Sequence, residues 1–376
     1  MRASLTESRW APASWRQVEE LLQEGVAAGV YTAAAAVVGR NGEIVWQGAA
    51  GTLSREAASP PAGLDTVFDL ASLTKPLATA LALLMLVQEG RLPLHRTLGE
   101  VLPGEWLPPD KRDLSLTSLL THRAGLPAWR PLYQDLLAAP AEKRPRLLPR
   151  LAAAVPREHR PGTMTLYSDL GFMLLQGVVE EVAGLPLDEF CRRHLYEPLG
   201  LTVMGFTPRR RPGGDSYPFA ATEPGLIPGR RCLGEVHDEN AWAAGGVAGH
   251  AGLFGTVGEV FALLAALWRA WQGHPDGPFA PGVVRRFLTP PPGATRALGF
   301  DRPPPPPEQG AAGRCFSPES VGHLGFTGTS FWLDLRQGQL VVLLTNRVHL
   351  GREDTGPIRA FRPRFHDAAC RALGVA

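Results

Sequence analysis

The chain has 376 residues, 44% hydrophobic and 20% charged, the balance of a globular protein with enough length for a large buried core. A formal net charge of +2 is too small to argue for nucleic acid or an anionic membrane as partner. The four cysteines, Cys191, Cys232, Cys315 and Cys370, are widely spaced and form no C-x-x-C pair, which excludes a zinc ribbon or a redox pair and fits a reducing compartment.

The first fifteen residues show no apolar core of a signal peptide. The longest strongly apolar run, about residues 77–87, is too short to span a bilayer and reads as a buried helix. A cytoplasmic protein is the expectation.

In chain order, Ser14 with Gln17 three residues on predicts a capping box that opens a helix running to about Gly29. Residues 32–38 and 44–47 are strand-like and flank Asn41-Gly42, which predicts a β-hairpin. A helix is predicted over 71–88, closed by Gly90 as a C′ glycine. Residues 93–250 are dominated by helical patterns broken by Pro and Gly, at 116–121, 147–155, 170–182 and 187–194, and 258–271 adds another helix. The charged, glycine-rich 209–214 reads as an exposed loop and the prolines of 303–307 as a short polyproline segment. Residues 328–335 and 339–345 form a second hairpin around Arg336-Gln337-Gly338, and 358–373 closes the chain as a helix.

This order predicts an α/β fold. The two hairpins pair into one antiparallel sheet flanked by the terminal helices, and the helical middle forms a second lobe. One catalytic domain over 1–376 is expected, with an α/β lobe of about 1–75 and 255–376 and a helical lobe of about 76–254.

Ser72-Leu73-Thr74-Lys75-Pro76 stands where the third predicted segment must begin, because proline is tolerated only in the first turn of a helix. Three residues is close to one turn, so Ser72 and Lys75 share a face. A serine hydroxyl becomes a nucleophile when a neighbouring base takes its proton, and a lysine serves if burial or nearby positive charge lowers its pKa. Helix-terminal N–H groups there can hold a developing oxyanion. The plainer reading is a helix cap followed by a solvated lysine. Against it, Lys75 precedes an apolar helix that should be buried all round, and it is one of only three lysines, with Lys111 and Lys143.

Tyr167-Ser168-Asp169 precedes the next long helix, and a tyrosine there can shuttle protons between nucleophile and leaving group. Tyr167 as a half-buried anchor and Asp169 as an N-cap is the simpler alternative. His323-Leu324-Gly325-Phe326-Thr327-Gly328-Thr329 leads into a strand. Its glycines allow close backbone approach, with the alternative of a plain bulge or bend.

The order and spacing of these three elements resemble the serine β-lactamase and penicillin-binding-protein-like superfamily, including class C β-lactamases, D,D-peptidases and family VIII carboxylesterases. The likeness extends through Leu119-Leu120-Thr121-His122, Gly125-Leu126-Pro127, Glu197-Pro198-Leu199-Gly200 and the Gly245–Phe254 stretch. It implies a cleft between two lobes, acylation of Ser72 with Lys75 as its base, and Tyr167 sharing proton transfer. The N–H groups of Ser72 and Phe326 would form the oxyanion hole, with Gly325, Asp169 and His323 beside the substrate. Two departures stand out. Asp169 occupies a position usually held by Asn, and an ionised acid cannot donate to a substrate amide. His323 replaces a lysine, so recognition of a substrate carboxylate should be weaker and pH-dependent.

His237, Asp238, Glu239, His250, His122 and His323 offer metal-ligand chemistry but lack the helical spacing of a zinc site, so loop ordering is the reading adopted and neither metal nor cofactor is expected. The expected function is a serine hydrolase cleaving esters or amides through an acyl-enzyme, as a carboxylesterase or D-amino-acid peptidase. The alternatives are a β-lactamase or a non-catalytic ligand-binding protein that keeps the fold. The partner is a small-molecule or peptide substrate, with no nucleic acid or membrane, and the oligomeric state is not legible.

Overall fold

Asn41 and Gly42 have positive φ values of 55° and 80°, the two-residue turn whose twist matches a β-hairpin. They join β1 (Ala33–Arg40) to β2 (Glu43–Gly51) in antiparallel register, with Ala36 opposite Gly48. The computed structural model describes residues 12–105, 107–206, 216–224, 227, 230, 232–305 and 310–374. The predicted loop at 209–214 and the last two prolines of 303–307 lie outside them.

The second hairpin supplies β4 (Ser330–Leu333) and β5 (Gln339–Thr345), and β3 (Val321–Leu324) precedes it. The sheet order is β2-β1-β5-β4-β3, with each neighbouring pair antiparallel, so the two hairpins meet through β1 and β5 as predicted. The third motif runs along β3, at one edge of this sheet.

Strand alternation divides the apolar side chains between two clusters. Ala34, Ala36, Val38, Val341 and Leu343 face α1 (Pro12–Ala27) and the C-terminal helix Gly356–Ala372. Ala33, Ala35, Val37, Val342 and Leu344 face the opposite way. Both faces of β1 are covered, which is why its sequence is apolar without alternation. The first helix begins at Pro12 and ends at Ala27, so Ser14 lies inside it and not at its cap.

The remaining helices that position the site are α2 (Ala71–Gln88), α3 (Leu116–Leu120), α4 (Asp169–Ala183), α5 (Glu239–Ala243), α6 (Val257–Gln272) and α7 (Gly356–Ala372). The second helix ends before Gly90, whose φ of 71° is the left-handed conformation expected there. It is long and apolar enough to cross a membrane by composition, but 83% of that window is buried within the protein. One continuous buried cluster joins the second face of the sheet to α2, α4 and α6. The sheet and the helical segment therefore share a core, although all five strands of the sheet come from residues 33–51 and 321–345.

Candidate active site

Ser72 lies in a tight first turn that opens α2. Ala71 before it has φ 48°, a left-handed conformation rare for a residue with a Cβ. Hydrogen bonds from several directions hold that backbone. Ala71 N donates to Asp69 Oδ1 at 2.8 Å, and Thr74 Oγ1 donates to Ala71 O at 2.6 Å. Thr327 and Thr329 donate to the carbonyls of Asp69 and Leu70, linking the turn to the segment after β3. Asp69 Oδ2 also accepts from His237 N at 2.7 Å. Burial pushes the Asp69 carboxyl up to about 6, against the pull of these two N–H donors.

Lys75 is fully buried beneath Ser72. Its Nζ lies 3.0 Å from Ser72 Oγ, 3.1 Å from His250 O and 2.7 Å from Asp169 Oδ1. The Tyr167 ring stands beside them, its centroid 4.9 Å from Lys75 Nζ, and with Ser72 it lines both sides of the cleft described below. The expectation that burial lowers the Lys75 pKa is corrected here. Burial does oppose the charge, but the Asp169 carboxylate and Tyr167 outweigh it and hold the amine above the ordinary lysine range. Burial likewise raises the Tyr167 phenol, with Lys75 acting in the other direction.

Tyr167 is set in place by His122, which the sequence reading weighed only for metal-ligand chemistry. The His122 backbone is at φ 56°, and its ring packs against Tyr167 at a 32° tilt with centroids 4.4 Å apart. Its Nδ1 accepts from Ser168 N at 3.0 Å, and its carbonyl accepts from Leu166 N at 2.9 Å. Burial keeps its pKa well below the usual imidazole value. Ser168, not Asp169, is the N-cap of α4, with its Oγ accepting from Gly171 N. Asp169 is thereby free of capping and turned onto Lys75.

His323 is buried in β3, with Nδ1 2.9 Å from Leu324 O, which makes that nitrogen the donor. Its buried Nε2 has no hydrogen-bond partner among the described residues. Burial pushes the imidazole down to about 4, with Lys75 and Arg296 adding to the effect over the opposing pull of Asp301. His323 is thus neutral across the physiological range, and the expected titration near neutrality is replaced by a fixed neutral ring.

Gly325 leaves no room for a side chain. A Cβ there would stand 2.0 Å from Thr329 Oγ1 and 2.8 Å from Leu70 O. Phe326 projects from this turn, 46% exposed, between His237 (ring centroids 5.7 Å apart) and Arg347, whose guanidinium sits 4.7 Å from its ring. The Phe326 N–H has no acceptor among the described residues, whereas its carbonyl accepts from Arg347 Nε. Arg362 of α7 donates to the carbonyls of Gly325, Gly328 and Thr329 from beneath. It was legible as an oddity, since it occupies the same buried helix face as Ile358, Phe361 and Phe365.

Two arms of one cleft meet at Ser72, Tyr167 and Phe326. One, of about 690 Å³, is walled by His323, Arg296 and Arg359 among others, and the second, of about 390 Å³, by Trp129, His237, Glu239 and Arg352. The histidines do not converge. His237 contacts Glu223 and Arg352, and His250 contacts Asp238 at 2.9 Å. Donor atoms of Asp169, Asp238 and His250 lie within 4.8 Å of one another, beside the Lys75 ammonium that Asp169 and the His250 carbonyl hold.

A sequence model of the Beta-lactamase family matches residues 18–361. The chain belongs to the beta-lactamase family. It is 32% identical over 360 residues to the N-acetylmuramyl-L-alanine amidase of Bacillus subtilis, covering 89% of this chain and 81% of that protein. It is 33% identical over 306 residues to a protein of Escherichia coli with the provisional name D-alanyl-D-alanine carboxypeptidase, covering 76% and 70%. Its fold matches that of a penicillin-binding protein homologue from Pyrococcus abyssi at a TM-score of 0.71 and 19% identity, over 95% of this chain and 76% of that one. The beta-lactamase-like fold and membership in a family of serine hydrolases, both expected from the motifs, are borne out.

Proposed function

We propose that this serine hydrolase cleaves an amide bond in material derived from the bacterial cell wall, through an acyl-enzyme on Ser72. The observation that carries the reading is the buried Lys75 Nζ lying 3.0 Å from Ser72 Oγ, with the Tyr167 ring 4.9 Å from the same nitrogen. A serine so placed has a donor and a proton carrier within reach on the cleft side. The free Phe326 N–H and the Ser72 N–H at the helix start are the natural oxyanion donors. Tyr167 returns the proton to the leaving nitrogen, and water then releases the acyl group by the reverse path.

The choice of an amide next to alanine rests on the two relatives, named for N-acetylmuramyl-L-alanine and D-alanyl-D-alanine cleavage. The neutral His323 supports an acceptor for a substrate N–H or O–H at Nε2 in place of a cation for a lactam carboxylate. Four free cysteines support a reducing compartment, where such substrates would be recycled fragments and not intact wall.

Intact mass after incubation with a fluorophosphonate and with penicillin tests the nucleophile, with Ser72→Ala as control. Turnover of N-acetylmuramyl-L-alanine, a D-Ala-D-Ala peptide, p-nitrophenyl butyrate and nitrocefin, run side by side, tests the substrate. Absence of any adduct on Ser72 sinks the mechanism. Turnover of the ester or nitrocefin alone sinks the substrate assignment.

A further inference from the structure

Of the large apolar side chains left exposed among the described residues, two line the cleft, Trp129 and Phe326, and both stand on its smaller arm. Phe326 is engaged by His237 and Arg347, whereas the Trp129 indole has no ring contact or hydrogen bond among the described residues. The backbone on either side of Trp129 is nevertheless pinned. The Ala128 carbonyl accepts from Asp169 N at 2.9 Å, and the Arg130 carbonyl accepts from Asn240 Nδ2 of α5 at 2.9 Å. Asn240, itself fully buried, also accepts from Tyr133 N through Oδ1 at 2.7 Å. The fold thus holds a bare aromatic face at a fixed place in the same arm as Ser72.

The polar lining of this arm is rich in acceptors that are already paired with bases. Asp169 pairs with Lys75 at 2.7 Å, Asp238 with His250 at 2.9 Å and Glu239 with Arg352 at 2.8 Å. A substrate cation would therefore find no lone carboxylate here. The Asp238 and Glu239 side chains stay partly exposed, and a carboxylate keeps lone pairs for further donors. A neutral ring bearing hydroxyl groups suits such a place. Its C–H bonds can lie on the electron-rich face of the indole, and its hydroxyls can donate to the carboxylates.

The larger arm has the opposite character. Arg296, Arg347, Arg359 and Arg362 line it against the single carboxylate of Asp301. In an N-acetylmuramyl-L-alanine the carboxylate belongs to the leaving alanine, and the acyl half is an uncharged sugar with a lactyl group. The two halves sort between the two arms by charge.

We propose that the smaller arm is a sugar subsite, in which Trp129 and the carboxylates of Asp238 and Glu239 seat the ring of the acyl half and select amides that carry a sugar over bare peptides. This rests on the acyl-enzyme reading above and assigns its specificity to named residues.

N-acetylmuramyl-L-alanine and N-lactoyl-L-alanine present the same amide with and without the ring, and together they test the subsite. Wild type should prefer the first by about tenfold or more in kcat/KM. Trp129→Ala removes the platform from an exposed position and leaves the core intact. It should raise KM for the sugar-bearing amide about tenfold and change that for the sugar-free amide much less, while Trp129→Phe keeps most of the preference. Calorimetry of N-acetylmuramyl-L-alanine with Ser72→Ala, alone and combined with Trp129→Ala, should show the same loss in binding without turnover. Equal turnover of the two amides by wild type, equal losses on both in Trp129→Ala, or binding to Ser72→Ala unmoved by Trp129→Ala overturns the subsite. Absence of any probe adduct on Ser72 overturns instead the acyl-enzyme reading, and the calorimetry then still decides whether the sugar binds beside Trp129.

Discussion

His122 Nδ1 accepts the Ser168 N–H at 3.0 Å, across 46 residues of sequence, while its ring lies against Tyr167. One side chain thus fixes both the backbone beside Tyr167 and the aromatic face of Tyr167, the proposed proton carrier. His122→Ala removes the acceptor and the ring contact, and leaves a buried N–H unpaired at a cost of about 1–3 kcal/mol. His122→Asn tolerates the positive φ and keeps an acceptor near the same place, so it should recover most of that stability. Neither variant supports Tyr167, and kcat should fall on the order of 10–100-fold in both. Equal kcat in the His122→Asn variant and wild type would remove the positioning role.

Ala71 stores strain next to Ser72, the proposed nucleophile. A β-branched residue fits a left-handed backbone poorly, so Ala71→Val should lower stability by about 1–3 kcal/mol and slow acylation, while Ala71→Gly stays within about 1 kcal/mol of wild type. Thermal denaturation alongside probe labelling reads both. A valine variant as stable and reactive as wild type would show that the turn can relax freely.

Gly325→Ala drives a methyl group into Thr329 Oγ1 and toward Leu70 O, two residues ahead of Ser72. The expected cost is about 1–3 kcal/mol, with slower acylation because the displaced carbonyl belongs to the nucleophile's own turn. Adding Thr329→Ala relieves the nearer clash and should restore part of the stability, a coupling that a double-mutant cycle measures directly.

Acid should weaken the fold through its buried imidazoles. His323 and His366 are held down to about 4 by burial, against an ordinary value of 6.5. The unfolded chain therefore binds protons that the native state refuses as pH falls from 6.5 to 4, and stability drops over that window by up to about 3 kcal/mol per group. Asp69, raised to about 6, works in the opposite direction between its ordinary 3.8 and 6, because its protonation favours the native state. The two histidines outweigh it. Urea denaturation at pH 7.5 and 4.5 should show the loss, and a flat profile would refute it.

That Ser72, Lys75 and Tyr167 come together was legible because local rules isolate them. Pro76 marks a helix start, and a lysine before an apolar helix demands a buried partner. Both hairpins announced themselves through Asn41-Gly42 and Gly338. What escaped was long-range. Nothing near Ser168 signals that it would cap α4 and release Asp169 toward Lys75, and so the sign of the Lys75 shift was misread. Asp69 lies just ahead of the serine turn, but its bond to His237 N spans 168 residues. The neutrality of His323 depends on burial that no sequence window contains.

The uninterrupted apolar cluster running from the sheet into α2, α4 and α6 has a mechanical consequence. No plane exists along which the two halves could part without wetting that interior, so the groove keeps a fixed width. Adjustment to a ligand falls to rotamers at its rim, where Trp129 and Phe326 remain 39% and 46% exposed.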